Sequence, residues 1–232
     1  MKKILFYINT LRHGGAERVI SNLASEFSKH NYKVVLVTSF KCEEEYTVHK
    51  NVKRVYLYEK NINENFFSKN LKFVKRLRQI IKYENPNVSV SFMAEPNFRL
   101  LIATLGMKTK KVISVRNDPN YEYPNFIYRF LAKTLYFLAD GIVFQTKDAK
   151  EWFPKGIQRK SKIILNPVAD KFYQVQRNVE KQNIIAIGRY EKQKNFEMLI
   201  KAYSLIARMF PEEKLLIYGQ GIEKSNLESL IM

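Results

Sequence analysis

The sequence predicts an α/β fold organised around a mostly parallel β-sheet. Short apolar runs of the kind that form strands buried on both faces recur along the chain, and helix-length stretches separate most of them. A polar stretch at residues 174–182 interrupts this rhythm and reads as a linker. One further strand–helix–strand–helix pattern follows it, so a complete first unit over 1–175 and the beginning of a second over 176–232 are expected.

Taken in order, strands are read at residues 4–8, 34–37, 52–57, 88–92, 112–115 and 142–144. Between the third and fourth lies an amphipathic helix over 66–83. Phe67, Leu71, Val74, Leu77 and Ile81 recur there at helical steps, while Lys69, Lys72, Lys75 and Arg76 mark the opposite face. Beyond the linker, residues 183–188 read as strand, 195–209 as helix, 214–218 as strand and 222–231 as helix.

Composition narrows the class of function. The 232 residues hold 40 Lys plus Arg against 22 Asp plus Glu, a net charge of +18, which attracts anions of any kind. The apolar fraction of 46% excludes a highly charged disordered chain. Cys42 is the single cysteine, so no internal disulfide framework exists, and His13, His30 and His49 are too scattered to spell a metal cluster. The apolar run behind Met1-Lys2-Lys3 stops at Asn9 and Arg12, short of a signal peptide, and Arg129 and Lys133 interrupt the most lipid-like region. A cytoplasmic protein without metal or other cofactor is expected.

Two turns carry chemistry. The first strand runs into Asn9-Thr10-Leu11-Arg12-His13-Gly14-Gly15, with a helix starting near the glycine pair. Glycines there let backbone approach a ligand, and the free N–H groups of a helix N-terminus favour a phosphate; a tight turn needing positive φ explains the same residues without a ligand. The pattern is neither G-x-G-x-x-G nor a P-loop, which counts against NAD binding and Walker-type hydrolysis. In the second unit, Gly188-Arg189 ends a strand and Lys194 precedes a helix, so both cations are expected at the crevice where open α/β sheets bind ligands. Two such cations suit a diphosphate, although an isolated Arg and Lys also fit a solvated basic loop.

These fragments together resemble the family 4 glycosyltransferases, retaining enzymes with two Rossmann-like domains facing a cleft, the GT-B fold. The resemblance runs through Gly14-Gly15-Ala16-Glu17-Arg18, Ala139-Asp140-Gly141-Ile142-Val143, Leu165-Asn166-Pro167-Val168, Gly188-Arg189 with Lys194-Asn195, Leu199-Ile200-Lys201-Ala202-Tyr203, and Leu216-Ile217-Tyr218-Gly219-Gln220-Gly221. It implies that Arg189 and Lys194 hold the diphosphate of a nucleotide-sugar donor and that Gly14 and Gly15 bring backbone against the same phosphates. It also places Asn166 beside the cleft. Arg116-Asn117-Asp118 stands where many relatives carry a cleft histidine, so Arg116 takes that place. The family's pair of glutamates eight positions apart is absent, and that motif is expected beyond residue 232. No residue stands out as a catalytic base or nucleophile.

The resemblance implies retaining transfer of a sugar from a nucleotide diphosphate to a glycan acceptor, lipid-linked in kind, during bacterial surface polysaccharide synthesis. The basic helix at 66–83, the cluster Lys108-Thr109-Lys110-Lys111 and the aromatic stretch at 121–137 add an expectation of peripheral contact with anionic lipid on the inner face of the cytoplasmic membrane. Aromatics at helical spacing more often face a core, and a charged stripe more often faces water. Two alternatives stay open: a truncated, inactive glycosyltransferase-like chain, and a basic module for anionic lipid or nucleic acid. No recognised nucleic-acid module supports the latter.

Overall fold

Seven strands form one sheet in the order β3-β2-β1-β4-β5-β6-β7 in a computed structural model that describes residues 1–12, 14–60, 64–167 and 183–231. They are β1 (Lys3–Ile8), β2 (Lys33–Phe40), β3 (Lys53–Tyr58), β4 (Val88–Phe92), β5 (Lys110–Ser114), β6 (Gly141–Phe144) and β7 (Ser161–Ile163). Every neighbouring pair is parallel. The six strands read from sequence are all present, displaced by a residue or more at several ends. The short seventh, β7, is only partly buried and carries too little apolar signal to be read in advance.

Helices α1 (Gly15–Lys29), α2 (Phe66–Glu84), α3 (Ala94–Ala103), α4 (Pro119–Glu122), α5 (Phe126–Leu135), α6 (Lys147–Glu151) and α7 (Lys155–Gln158) connect them. Alternate residues of β1 and β2 serve opposite cores, which explains why both strands read as continuous apolar runs. Ile4, Phe6, Ile8, Val34 and Leu36 join Val19, Ile20 and Ala24 of α1. Leu5, Tyr7, Val35 and Val37 join Phe73, Leu77 and Ile81 of α2 and Leu100 of α3. Each fully buried side chain of this size stabilises the fold by about 1.5–3 kcal/mol.

The buried stripe of α2 departs from the expected one. Phe67 is 83% and Leu71 70% exposed, whereas Phe73, which the spacing argument omitted, is buried. The helix turns the Phe73–Leu77–Ile81 row inward against Leu5, Tyr7, Val35 and Val37, and the guanidinium of Arg99 packs over the Phe73 ring at 4.8 Å.

The chain divides into two compact units, Met1–Val168 and Ala169–Met232. The linker expected at 174–182 and the boundary expected between 175 and 176 lie outside the described residues. In the second unit, β8 (Ile184–Ile187) and β9 (Leu215–Tyr218) pair in parallel, with α8 (Phe196–Ser204) and α9 (Lys224–Ser229). Both helices are shorter than expected. Beyond Ser204 the chain continues as turns, and α9 occupies only the middle of the region read as helix. Phe196 and Ile200 anchor α8, while Ile185 and Ile187 of β8 remain exposed.

Candidate active site

Strand order reverses between β1 and β4, so the loops that leave their carboxyl ends diverge and leave a crevice at that edge. The glycine turn follows β1 there. Gly14 is the N-cap of α1, in extended backbone at φ −147°, and no side chain caps the helix. Gly15 is already helical, so neither glycine is needed for positive φ, and the tight-turn explanation fails. What glycine supplies is room: a Cβ on Gly15 would meet nothing within 4 Å, and one on Gly14 would meet only the flexible carboxylate of Glu17. Open backbone N–H groups at the positive end of a 15-residue helix suit an anion.

Behind this turn lies a buried polar network that sequence reasoning missed. Arg99 of α3 donates from Nη1 to Asn9 Oδ1 (2.6 Å), from Nη2 to Glu95 Oε2 (2.7 Å) and from Nε to Asn70 Oδ1 (2.7 Å). Its guanidinium therefore ties the residue after β1 to the first turn of α3 and to α2. Tyr128 of α5 donates its hydroxyl to the other oxygen of Glu95 at 3.2 Å. The signal available in sequence was the Glu95–Arg99 pair, opposite charges four positions apart in a helix whose other side chains, Asn97 aside, are apolar.

Arg116 and Asn166, expected beside a cleft, are brought together by the sheet. Arg116 leaves β5, Asn166 follows β7, and Nη2 of the arginine donates to the asparagine side-chain oxygen. The guanidinium also lies over the Phe92 ring at 4.7 Å. Burial lowers the Arg116 pKa to about 10, opposed by the nearby Glu122 carboxylate. Glu122 shows the opposite effect: burial raises its pKa to about 7, although backbone N–H groups of Asn117, Arg116 and Ala94 and the charge of Arg116 favour the ionised form. Near neutral pH this carboxyl is therefore divided between its two protonation states.

In the second unit, Arg189 and Lys194 flank the turn between β8 and α8. The Lys194 stem lies beside Gly188, where a Cβ would approach its Cγ and Cδ at 3.6 Å. A Cβ on Gly219 would collide with the carbonyl oxygen of Gly188, so glycine permits the close approach of backbone past the ends of β8 and β9. Arg189 is not a free cation: its Nη1 pairs with Glu191 Oε1 at 2.8 Å, in a largely exposed position. The turn thus carries less net positive charge than the sequence implied. Gly14 and Gly15 belong to the first unit and Arg189 and Lys194 to the second. Among the described residues no three His, Cys, Asp or Glu side chains are grouped to hold a metal ion.

Glycine-bearing and basic turns at the carboxyl edges of parallel strands, repeated in two successive units, define a Rossmann-like α/β protein of the GT-B class. Residues 13–172 match the profile of Glycosyltransferase Family 4, and residues 169–232 match that of Glycosyl transferases group 1. The chain belongs to glycosyltransferase family 4. It is 30% identical over 234 residues to a Campylobacter jejuni protein, GalNAc-alpha-(1->4)-GalNAc-alpha-(1->3)-diNAcBac-PP-undecaprenol alpha-1,4-N-acetyl-D-galactosaminyltransferase, covering 98% of this chain and 64% of that one. The chain thus spans about two thirds of the length of that relative. Among solved structures, sucrose-phosphate synthase from Thermosynechococcus elongatus superposes with a TM-score of 0.75 at 13% identity, covering 100% of this chain and 67% of that one. Anabaena HepE in complex with UDP superposes with a TM-score of 0.74 at 12% identity, covering 100% and 65%. At such identities these two structures show the fold alone.

Proposed function

We propose that this chain is the acceptor-side unit and the start of the donor unit of a glycosyltransferase that moves a sugar, with retention, from a nucleotide diphosphate to a lipid-linked glycan in bacterial surface polysaccharide synthesis. The observation that carries the donor reading is the β8–α8 turn, where Arg189 and the Lys194 stem flank Gly188. During transfer the bond from the anomeric carbon to the diphosphate oxygen breaks, and negative charge grows on the departing phosphate. A planar guanidinium and a mobile ammonium stabilise that charge more than they stabilise the intact donor. Within the first unit, the open helix N-terminus at Gly14 and Gly15 likewise offers N–H donors that suit a phosphate. The relative named above acts on an undecaprenyl diphosphate-linked glycan, which supports an acceptor of that class.

A lipid-linked acceptor requires the protein to work at a membrane, and we place it peripherally on the cytoplasmic face. No described helix is long and apolar enough to cross a bilayer. Of the cations first expected to meet lipid, Lys72 pairs with Glu64, Lys110 and Lys111 pair with Asp140, and Lys69 lies over the Phe73 ring. The outer face of α5 is the better surface. Phe126, Ile127 and Phe130 are 80%, 65% and 57% exposed, and Phe66 approaches Tyr128 at 6.5 Å; the same helix carries Arg129, whose Nε donates to the Tyr123 carbonyl, and Lys133, which lies over the Trp152 ring. Exposed rings bordered by cations suit the interface of an anionic bilayer.

Calorimetric titration of the chain with UDP and with other nucleoside diphosphates tests the donor reading. Arg189→Ala and Lys194→Ala should each weaken the binding at least ~10-fold, the scale of one charge-assisted hydrogen bond. Equal affinity in both variants and the parent removes the assignment.

A further inference from the structure

We propose that Glu122 is a positioning residue of the first unit: in its ionised form it clamps the turns that follow β4 and β5 to one another and so holds Arg116 in place for transfer. The assignment rests on the transferase reading above and deepens it, because it names the group on which Arg116 depends.

Both turns carry a feature that needs support from outside. Met93, between β4 and α3, adopts φ +78°, a conformation that a residue with a side chain reaches only under constraint, and no side chain of its own caps the helix that follows. Arg116, two residues beyond β5, keeps its Nε buried without a hydrogen-bond partner among the described residues. The Glu122 carboxyl lies between these turns. Its Oε2 accepts the Asn117 backbone N–H at 3.2 Å, the N–H groups of Arg116 and Ala94 turn toward the same carboxyl, and the buried Oε1 completes no hydrogen bond. A carboxylate accepts from several N–H groups at once, whereas its protonated form turns one oxygen into a donor that N–H groups cannot receive.

Glu122 is also poised to change charge near neutral pH. Burial brings its pKa to about 7, while Arg116, at about 10, stays cationic. Tyr123 beside it and Tyr136 just after α5 join hydroxyl to hydroxyl at 2.9 Å, and burial, with the Glu122 charge adding to it, pushes both phenols upward, so they stay neutral. Glu95, next to Ala94, accepts from Arg99 and Tyr128, and Asp118 accepts the Asn120 backbone N–H. A glutamine would fill the same place without the cost of burying a charge, so stability is not what the carboxylate supplies. It supplies a charge-dependent position. Arg116 and Asn117 line, with Asp118, Asn120 and Trp152, a cavity of about 390 Å³, and a proton on Glu122 loosens that edge of it.

The experiment follows the ¹⁵N-labelled 232-residue chain by NMR as pH is varied. The expected result is one shared titration of the Ala94, Arg116 and Asn117 amide resonances with its midpoint at about 7. The emission of Trp152, the only tryptophan, should follow the same midpoint, because its ring stacks on Tyr123 with centroids 5.4 Å apart. The Arg116 Nε–H should exchange with water faster at pH ~6 than at pH ~8, although base-catalysed exchange by itself slows as pH falls. Glu122→Gln should abolish the shared titration and make that N–H exchange ~5-fold or more faster than in the parent at pH ~8. Separate midpoints for the three amides, a titration that survives Glu122→Gln, or an Arg116 Nε–H whose exchange only slows with acid overturns the proposal. Calorimetry with UDP separates this inference from the reading beneath it. The shared titration without UDP binding overturns the donor assignment and leaves the clamp, whereas UDP binding without the titration overturns the clamp alone.

Discussion

The Arg116 guanidinium donates to the side-chain oxygen of Asn166, 50 positions further along the chain, and so ties the loop after β5 to the segment after β7. The two residues are neighbours only because β6 lies between those strands in a parallel sheet. Asn166→Ala should cost about 1 kcal/mol, below the ~1.5–3 kcal/mol of a buried charged hydrogen bond, because solvent partly screens the pair. Urea unfolding measures this, and an unchanged midpoint would show that water replaces the asparagine without loss.

Glu122 makes stability depend on pH. Its folded pKa of about 7 lies above the value of about 4.3 for an unfolded glutamate, so the native state holds the proton more tightly. Its stabilising contribution is complete below about pH 4.3 and is lost as pH rises through about 7. Glu122→Gln keeps the neutral shape, and at pH 8 the variant should be more stable than the parent by as much as ~3 kcal/mol, with the gap closing near pH 4.5. Thermal unfolding at those two pH values checks it; a gap independent of pH would contradict a titrating Glu122.

Gly15→Ala separates folding from ligand approach. The added methyl group meets nothing within 4 Å and sits in the first turn of a helix, where Ala is the better former by up to ~1 kcal/mol. The melting temperature should hold or rise. UDP affinity should fall ~5-fold or more, because the methyl stands where a phosphate would reach the backbone N–H groups. Unchanged affinity would show that no phosphate comes near this turn.

The outer face of α5 predicts selective lipid binding. Phe126→Ser combined with Phe130→Ser should reduce co-sedimentation with anionic vesicles ~10-fold or more, since each inserted ring contributes on the order of 1.5–3 kcal/mol. Removal of Lys110 and Lys111, which open β5 at the other edge of the sheet and pair with Asp140, should change it little. The reverse ranking would return the lipid contact to the lysine cluster.

Much of this protein was legible in its sequence. Parallel strands buried on both faces announce themselves as apolar runs, because side chains on both sides of β1 and of residues 34–37 of β2 leave water; Ser39 of β2 is buried too, but hydrogen bonds to Tyr7 and Asn9 satisfy it. The glycine turn, the Arg189–Lys194 turn and the resemblance they carry depend on local spacing, which one dimension preserves. The tertiary structure decided what depends on neighbours from elsewhere in the chain. In β4 it is Ser89 and Ser91 that are fully buried, while Val88 and Val90 are only half-buried, the reverse of what residue type suggests. The serines face inward because Thr109 and Asn97 hydrogen-bond them at 3.0 and 2.7 Å, and their small size lets α3 approach the sheet. The same holds for the network around Arg99, the raised pKa of Glu122 and the pocket beside Trp152. Each is set by burial among residues distant in sequence, and a linear pattern of residue types does not encode which of them meet.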